Sequence, residues 1–553
     1  IKSFFKYLVF FHVHLHALSM KNIYSTSKRK IEKKKIKKVN LIAIIETLKN
    51  IIGFSLLIYF PEVLNIYRDI EIPFVLPVVY LIISQSITAA ELKEKLYTYS
   101  SDEFEGRETG TNGLTIAINY LKDHYIELGV NSVKDDGDYF QNVPLKLIEA
   151  PSVSISIEDK SFTYYKDYIS MSGGESITIE SKDIILVGYG IKDEKYNDYD
   201  GIDVDGKIVV ASAGEPLNKD NKYLISGTSK KTKWSNNRQE LRSKLNTAKE
   251  LGAKGFFLIN DPMFKLYAPY YKEKDNHGGE SDLSLDVNEK EIYSFLVGKS
   301  METALLLGNQ IKIDYEQKSK PISSDNVAAI IKGTEKPDEY IVLSAHLDHI
   351  GMHDGEVFNG ADDDGSGTVA ILEIAEAFKA ALKDGNGPKR SIIFLHVTGE
   401  EKGLLGSQYY TDYDPLVPLS QTVANLNIDM IGRTDPKRIK GKRNYIYLIG
   451  SDKLSTELHE LSEDVNSKYT NIELDYTYND ENDPNRYYYR SDHYNFAKKG
   501  IPAIFFFNGI HADYHQSTDT PDKIEYDALA KRAQLAFVLA WELANRPERI
   551  KVD

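Results

Sequence analysis

The chain contains no cysteine. That absence excludes a disulfide framework, a thiolate metal site and a lipidated cysteine anchor, so any bound metal must be held by His, Asp and Glu. Positive charge is also scarce over most of the length. The formal net charge is −14, yet residues 1–90 carry 13 Lys+Arg against 5 Asp+Glu, a local +8 that leaves −22 for the remainder. Nucleic acid is therefore not an expected partner for the main body, because phosphate would be repelled.

A long uninterrupted apolar run is missing as well. LIAIIETLKNIIGFSLLIYF at 41–60 is broken by Glu46 and Lys49 and makes a poor membrane span. IPFVLPVVYLII at 72–83 has the length of a signal-peptide core and is followed by SQS, although its flank holds Asp69 and Glu71 beside Arg68. The chain begins with Ile rather than Met. Residues 1–87 are read as a signal, an N-terminal anchor or an artefact of a fragment start. The expectation is an exported protein, periplasmic, extracellular or N-terminally anchored, whose main body does not insert stably into a membrane.

What is present fits a soluble globular chain: 553 residues, 42% hydrophobic and 27% charged, enough for about two to four domains. Residues 88–110 read as a helix ending in a polar loop, and 111–130 as an amphipathic helix stopped by Gly129. Residues 152–318 hold short alternating strands such as SVSISIE and GKIVVASA, with a helix near 237–251, and form a candidate inserted domain of mainly β character. From 319 the pattern is strand, loop, helix, repeated through YIVLSAH, SGTVAILEIAEAFKAALK, RSIIFLHVTG, TVANLNIDMIG and IPAIFFFNG. Such alternation predicts an α/β fold with a mostly parallel central sheet flanked by helices.

Five segments place metal-binding residue types at or after the ends of those strands: AHLDH (345–349), NGADDDGSG (359–367), TGEEKGLLGS (398–407), NIDMIG (427–432) and DYHQSTDT (513–520). In open α/β sheets ligands bind there. Each segment alone has a bland reading. HLD could be accident, GADDDGSG could be a calcium loop through Asp362, Asp364, Ser366, Gly367 and Glu373, and an EE pair is usually solvated surface. Together they supply His346, an acid from the Gly-rich loop, Glu400, Glu401, Asp429 and His515. Asp348 is placed to hold the second nitrogen of His346 or to take a nearby supporting role, and Asp519 to support His515. His349 is expected to face away and be structural, with His493 and His511 as weaker alternatives. A buried Asp429 between Ile428 and Met430 would be costly without a cation.

Taken together these segments resemble the M28 family of zinc peptidases, over roughly residues 88–150 and 319–553. The resemblance implies two zinc ions per chain: Asp363 bridging both, His346 and Asp429 completing one site, Glu401 and His515 the other. It implies Glu400 as general base toward a metal-bridged water and Tyr514 as the group polarising the scissile carbonyl. Residues 152–318 resemble a protease-associated (PA) domain. Peptides are the implied substrates, and aminopeptidase the implied activity. The rival is a carboxypeptidase of the same family, which needs arginines converging on the pocket, with Arg433, Arg486 and Arg490 as candidates. A glutaminyl-cyclase-like transferase and a non-catalytic receptor are weaker readings. Oligomeric state is not legible.

Overall fold

Apolar runs of five to eight residues, rich in β-branched and aromatic side chains and bounded by polar loops, form the strands at the centre of this protein. The computed structural model describes residues 86–236, 239–276, 282–287, 292–441 and 443–553. The expected signal or anchor falls almost entirely outside the described residues. Among the described residues no helix is long and apolar enough to cross a membrane.

In chain order the main sheet takes β1 (Phe140–Ile148), β2 (Asp282–Leu285), β3 (Ser319–Ile331), β4 (Lys336–His346), β5 (Arg390–Val397), β6 (Thr422–Ile428), β7 (Tyr445–Ile449), β8 (Glu473–Asp475) and β9 (Ala503–Phe507), with Asn131–Ser132 paired beside β3. Its spatial order is β2-β1-β3-β5-β4-β6-β9-β7-β8. The four central strands β5, β4, β6 and β9 run parallel. The flanking pairs β3 with β5, β1 with β3, β2 with β1 and β7 with β9 are antiparallel. The sheet is thus mixed, with parallel pairing concentrated at its centre, and the carboxyl ends of the central strands open on one edge.

Helices around this sheet include α1 (Ala89–Tyr99), α2 (Asn112–Leu128), α3 (Gly367–Lys383), α4 (Leu405–Asp412), α5 (His493–Ala497) and α6 (Tyr526–Asn545). Thr88 and Thr111 cap the first two by accepting from the amides of Glu91 and Leu114. Gly129, at φ 70, closes α2 in the left-handed region. Because side chains alternate along a strand, β5 serves both faces. Phe394 and His396 meet Tyr125 of α2, whose hydroxyl lies 2.8 Å from His396 Nε2. Ile393, Leu395 and Val397 pack instead with Tyr410 of α4 and Phe496 of α5. On the α2 side, Phe378 of α3 stacks on Trp541 of α6 at 5.4 Å. Helices therefore cover both faces, as the alternating pattern requires.

Residues 152–316 build two larger sheets beside a two-stranded ribbon of Lys192–Asp193 and Tyr196–Asn197. One has four strands, Ser152–Ile157, Lys160–Phe162, Ile177–Ser181 and Ile311–Glu316. The other has five, Tyr168–Ser172, Ile184–Leu186, Ile208–Ser212, Gly255–Ile259 and Tyr293–Val297. They share a core that includes Ile155, Ile313, Phe257, Phe295 and Val297. The segment also returns one strand, β2, to the main sheet beside β1.

Candidate active site

The strand ends converge as the ladder dictates. His346 ends β4, Asp429 follows β6, Glu400 and Glu401 follow β5, and Tyr514 and His515 lie in the loop after β9. His346 Nε2 is 3.2 Å from Asp363 Oδ1 and 3.7 Å from Asp429 Oδ1. His515 Nε2 is 3.1 Å from Asp363 Oδ2 and 3.1 Å from Glu401 Oε2. Asp363 thus presents one oxygen to each of two donor sets.

The loop that carries Asp363 divides the work of its three acids. Asp362 Oδ1 accepts from Gly432 N at 2.6 Å. Asp364 accepts from Gly367 N at 2.9 Å, Met430 N at 3.1 Å and His346 N at 3.3 Å. Both outer carboxylates therefore tie backbone amides of neighbouring strand ends, and only Asp363 faces the donors. Burial with the Asp429 charge pushes the Asp364 carboxyl well above its usual range. The calcium-loop reading fails on geometry, since Glu373 is buried on α3 in an ion pair with Lys95. Gly367 is required by close approach: a Cβ there would lie 2.2 Å from Ile428 O.

Supporting contacts fix tautomers and orientations. His346 Nδ1 donates to the Asp348 carbonyl at 3.0 Å, which leaves Nε2 free to offer its lone pair. The sequence offered the Asp348 carboxylate for that duty or for a nearby supporting one; it lies 4.0 Å away and takes the second, accepting from Glu400 N at 3.1 Å and Thr109 Oγ1 at 2.9 Å. The Asp348 carboxylate thus acts on the loop that carries Glu400 rather than on the imidazole. Asp429 Oδ2 accepts from Ser491 Oγ at 2.6 Å, and Asn427 Nδ2 donates to Ser491 Oγ at 2.8 Å. Asp519 does not reach His515: its Oδ2 accepts from the amides of Asp362 and Asp363 at 2.9 and 3.2 Å, holding the acidic loop. His511 contacts Asp362, 3.2 Å away, and His493 stacks on Phe505. Neither enters the donor sets.

His349 does. Its expected outward orientation is not observed, and its Nδ1 lies 2.9 Å from Glu401 Oε1 and 3.8 Å from Asp363 Oδ2. A third imidazole directly after the HxD pair was the available signal.

Electrostatics sort the acids. Burial pushes the Glu400 carboxyl well above the usual carboxylate range, with Glu401, Asp429 and Asp492 adding to the rise and His346 opposing it. Burial alone would raise Asp363 too, but the imidazoles of His346, His515 and His349 hold it well below its usual range. Burial would lower His515, whereas Asp363 and Glu401 raise it to about 10. An acceptor-rich cluster of this kind demands a positive species between its oxygens. The donor spacings of 3.1 to 3.7 Å bracket the ~3.3 Å edge of a tetrahedral zinc shell with bonds near 2.0 Å. Asp363 Oδ2 and His515 Nε2 are buried without a hydrogen-bond partner. The residues fit two zinc ions sharing Asp363.

Beside the donors is a pocket lined by Glu400, Met430, Tyr487, Phe505, Phe507, Ile510, Tyr514 and Arg490. Of the three candidate arginines only Arg490 reaches it. Arg433 pairs with Asp513 at 3.2 Å, and Arg486 lies over the Tyr489 ring.

Residues 326–540 match peptidase family M28. A probable leucine aminopeptidase of Arthroderma otae is 32% identical over 228 residues, covering 40% of this chain and 57% of the relative. Leucine aminopeptidase 1 of Pyrenophora tritici-repentis is 28% identical over 359 residues, 58% of this chain and 88% of the relative. An aminopeptidase structure from Aneurinibacillus sp. strain AM-1 aligns with 85% of this chain and 97% of its own at 19% identity and a TM-score of 0.45. The chain spans little more than half the length of the first of these relatives. The matched stretch holds both donor sets and the pocket, and over residues 326–540 the chain is similar to peptidase family M28.

Proposed function

We propose that this protein is a dizinc exopeptidase that removes N-terminal residues from peptides. The observation that carries the reading is the sharing of Asp363 between two donor sets, with Glu400 facing the adjoining pocket. His346, Asp363 and Asp429 would hold one zinc, and Asp363, Glu401 and His515 the other. When bound, the pair supplies Lewis acidity, activating a water and polarising the scissile carbonyl.

The chain's own groups do the rest. Glu400, whose proton affinity is raised by burial, takes the proton of the attacking water and returns it to the leaving amine. Its position is set by the Asp348 carboxylate on its amide. Tyr514 is kept protonated, because burial and the nearby acids push its pKa up, so its hydroxyl can donate to the carbonyl oxygen as charge develops. The cluster of acids attracts a free α-amine. Met430, Phe505, Phe507 and Ile510 offer an apolar wall to the first side chain, which accords with relatives named leucine aminopeptidases. One arginine at the pocket, rather than a converging set, disfavours the carboxypeptidase reading. We read residues 152–318 as the PA domain that their sequence resembles.

The test is a substrate panel on the zinc-loaded full chain: leucyl, phenylalanyl and acidic peptides with free and acetylated N-termini. Release of the first apolar residue from free peptides alone is expected. Cleavage of acetylated peptides from their C-terminus would replace the aminopeptidase reading by the carboxypeptidase one, and no hydrolysis would remove both.

A further inference from the structure

Of the ligand carboxylates of the proposed zinc pair, Asp429 and Glu401 each have one oxygen turned to a donor set and another to account for. Asp429 directs Oδ1 toward His346 and gives Oδ2 to the Ser491 hydroxyl. Glu401 directs Oε2 toward His515, and its Oε1 lies 2.9 Å from His349 Nδ1. The two arrangements correspond: in both, a second residue holds the oxygen not used toward the imidazole.

His349 is built to stay in that place. It is fully buried, and its backbone amide donates to Arg107 O at 3.0 Å. Arg107, itself buried, donates to the carbonyls of Asn359 at 2.7 Å and Gly360 at 2.9 Å. That fixes Gly360 flat against the imidazole, where a Cβ would come within 2.5 Å of the ring's Cγ and Cδ2. The His515 ring meets it edge-on at 5.8 Å. A deprotonated carboxylate only accepts, so Nδ1 carries the proton, and the buried Nε2 has no hydrogen-bond partner. The 3.8 Å to Asp363 Oδ2 is too long for a second hydrogen bond.

We propose that His349 is a positioning residue for the second zinc site: its Nδ1–H holds Glu401 by Oε1 and so sets Oε2 toward Asp363 and His515. The inference rests on the two-zinc reading above. It predicts a dependence on atom position rather than on bulk. An asparagine amide can take the place of Nδ1, whereas glutamine carries its amide out toward Nε2.

The experiment is stepwise zinc titration of the full chain against a chromophoric chelator for wild type, His349→Ala, His349→Gln and His349→Asn, with the melting temperature of each metal-free protein. Ala and Gln are expected to weaken one of the two zinc affinities about 10- to 100-fold and leave the other unchanged, while Asn stays within about threefold of wild type. Two zinc ions on wild type with an unaltered Ala variant overturns the inference alone. Equal losses for Ala, Gln and Asn, tracking a lowered metal-free melting temperature, mean a packing role and overturn it too. If Ala does not fold, the contrast of Asn with Gln decides. Fewer than two zinc ions on wild type removes the two-zinc reading and the inference with it.

Discussion

The two donor sets that share Asp363 stand on different supports. His346 and Asp429 come from the ends of β4 and β6, adjacent parallel strands paired at Ser344 and Asn427. Their side chains are 1% and 8% exposed. Glu401 and His515 come from loops, and the His515 side chain is 34% exposed with a backbone φ of 57. A sheet ladder fixes the first set, whereas side-chain hydrogen bonds fix the second. Asp513, two residues before His515, is tied by Thr518 at 2.7 Å, Lys523 at 2.6 Å and Arg433 at 3.2 Å. The lesson is that one carboxylate can join a buried, strand-borne set of donors to a more exposed, loop-borne one.

The largest effect is expected where the two halves meet: Asp363→Ala removes a donor from both and abolishes peptide turnover, read as product release at saturating zinc. Glu400→Gln separates chemistry from binding. Turnover should fall about 10²- to 10⁴-fold while zinc content by elemental analysis is retained; loss of zinc instead would mean that Glu400 and Glu401 exchange roles. His515→Ala should lower zinc content from two ions to one and leave the strand-borne site intact. If it empties both, the halves are not independent and the comparison breaks.

The smallest effect concerns the sheet beneath the first set. Burial keeps His396 of β5 neutral, its pKa pushed down to about 3, while an unfolded histidine titrates near 6.5. Between those values the unfolded state binds more protons, so this imidazole's contribution to stability is present above about pH 6.5 and is lost as pH falls toward 3. The slope is roughly 1.4 kcal/mol per pH unit, about 2 kcal/mol between pH 6.5 and pH 5. Urea unfolding of the metal-free protein at pH 7 and pH 5 should show this acid loss reduced in His396→Gln.

The central strands, α3 and the proposed donors were legible because each donor ends or follows an apolar run whose length and pattern are local properties. The antiparallel flanks were not. QNVPLKLIEA and the start of β3 are half-polar, and their antiparallel pairing with each other joins distant segments. The facing of His349 was misjudged, and the first of the two duties open to Asp348 is not the one observed, for one reason. Their orientations were read as if the pleat continued, but β4 stops at His346 and the chain turns, so the Asp348 carboxylate goes to Glu400 and His349 swings back to Glu401. The likeness of the three acids 362–364 concealed that two of them serve the backbone.

The most direct test of a carboxylate shared between two zinc sites is native mass spectrometry of the zinc-loaded chain, wild type beside Asp363→Asn. The account predicts two zinc ions on the wild type and loss of the pair on the variant; a single ion on the wild type, or two retained without Asp363, would contradict it.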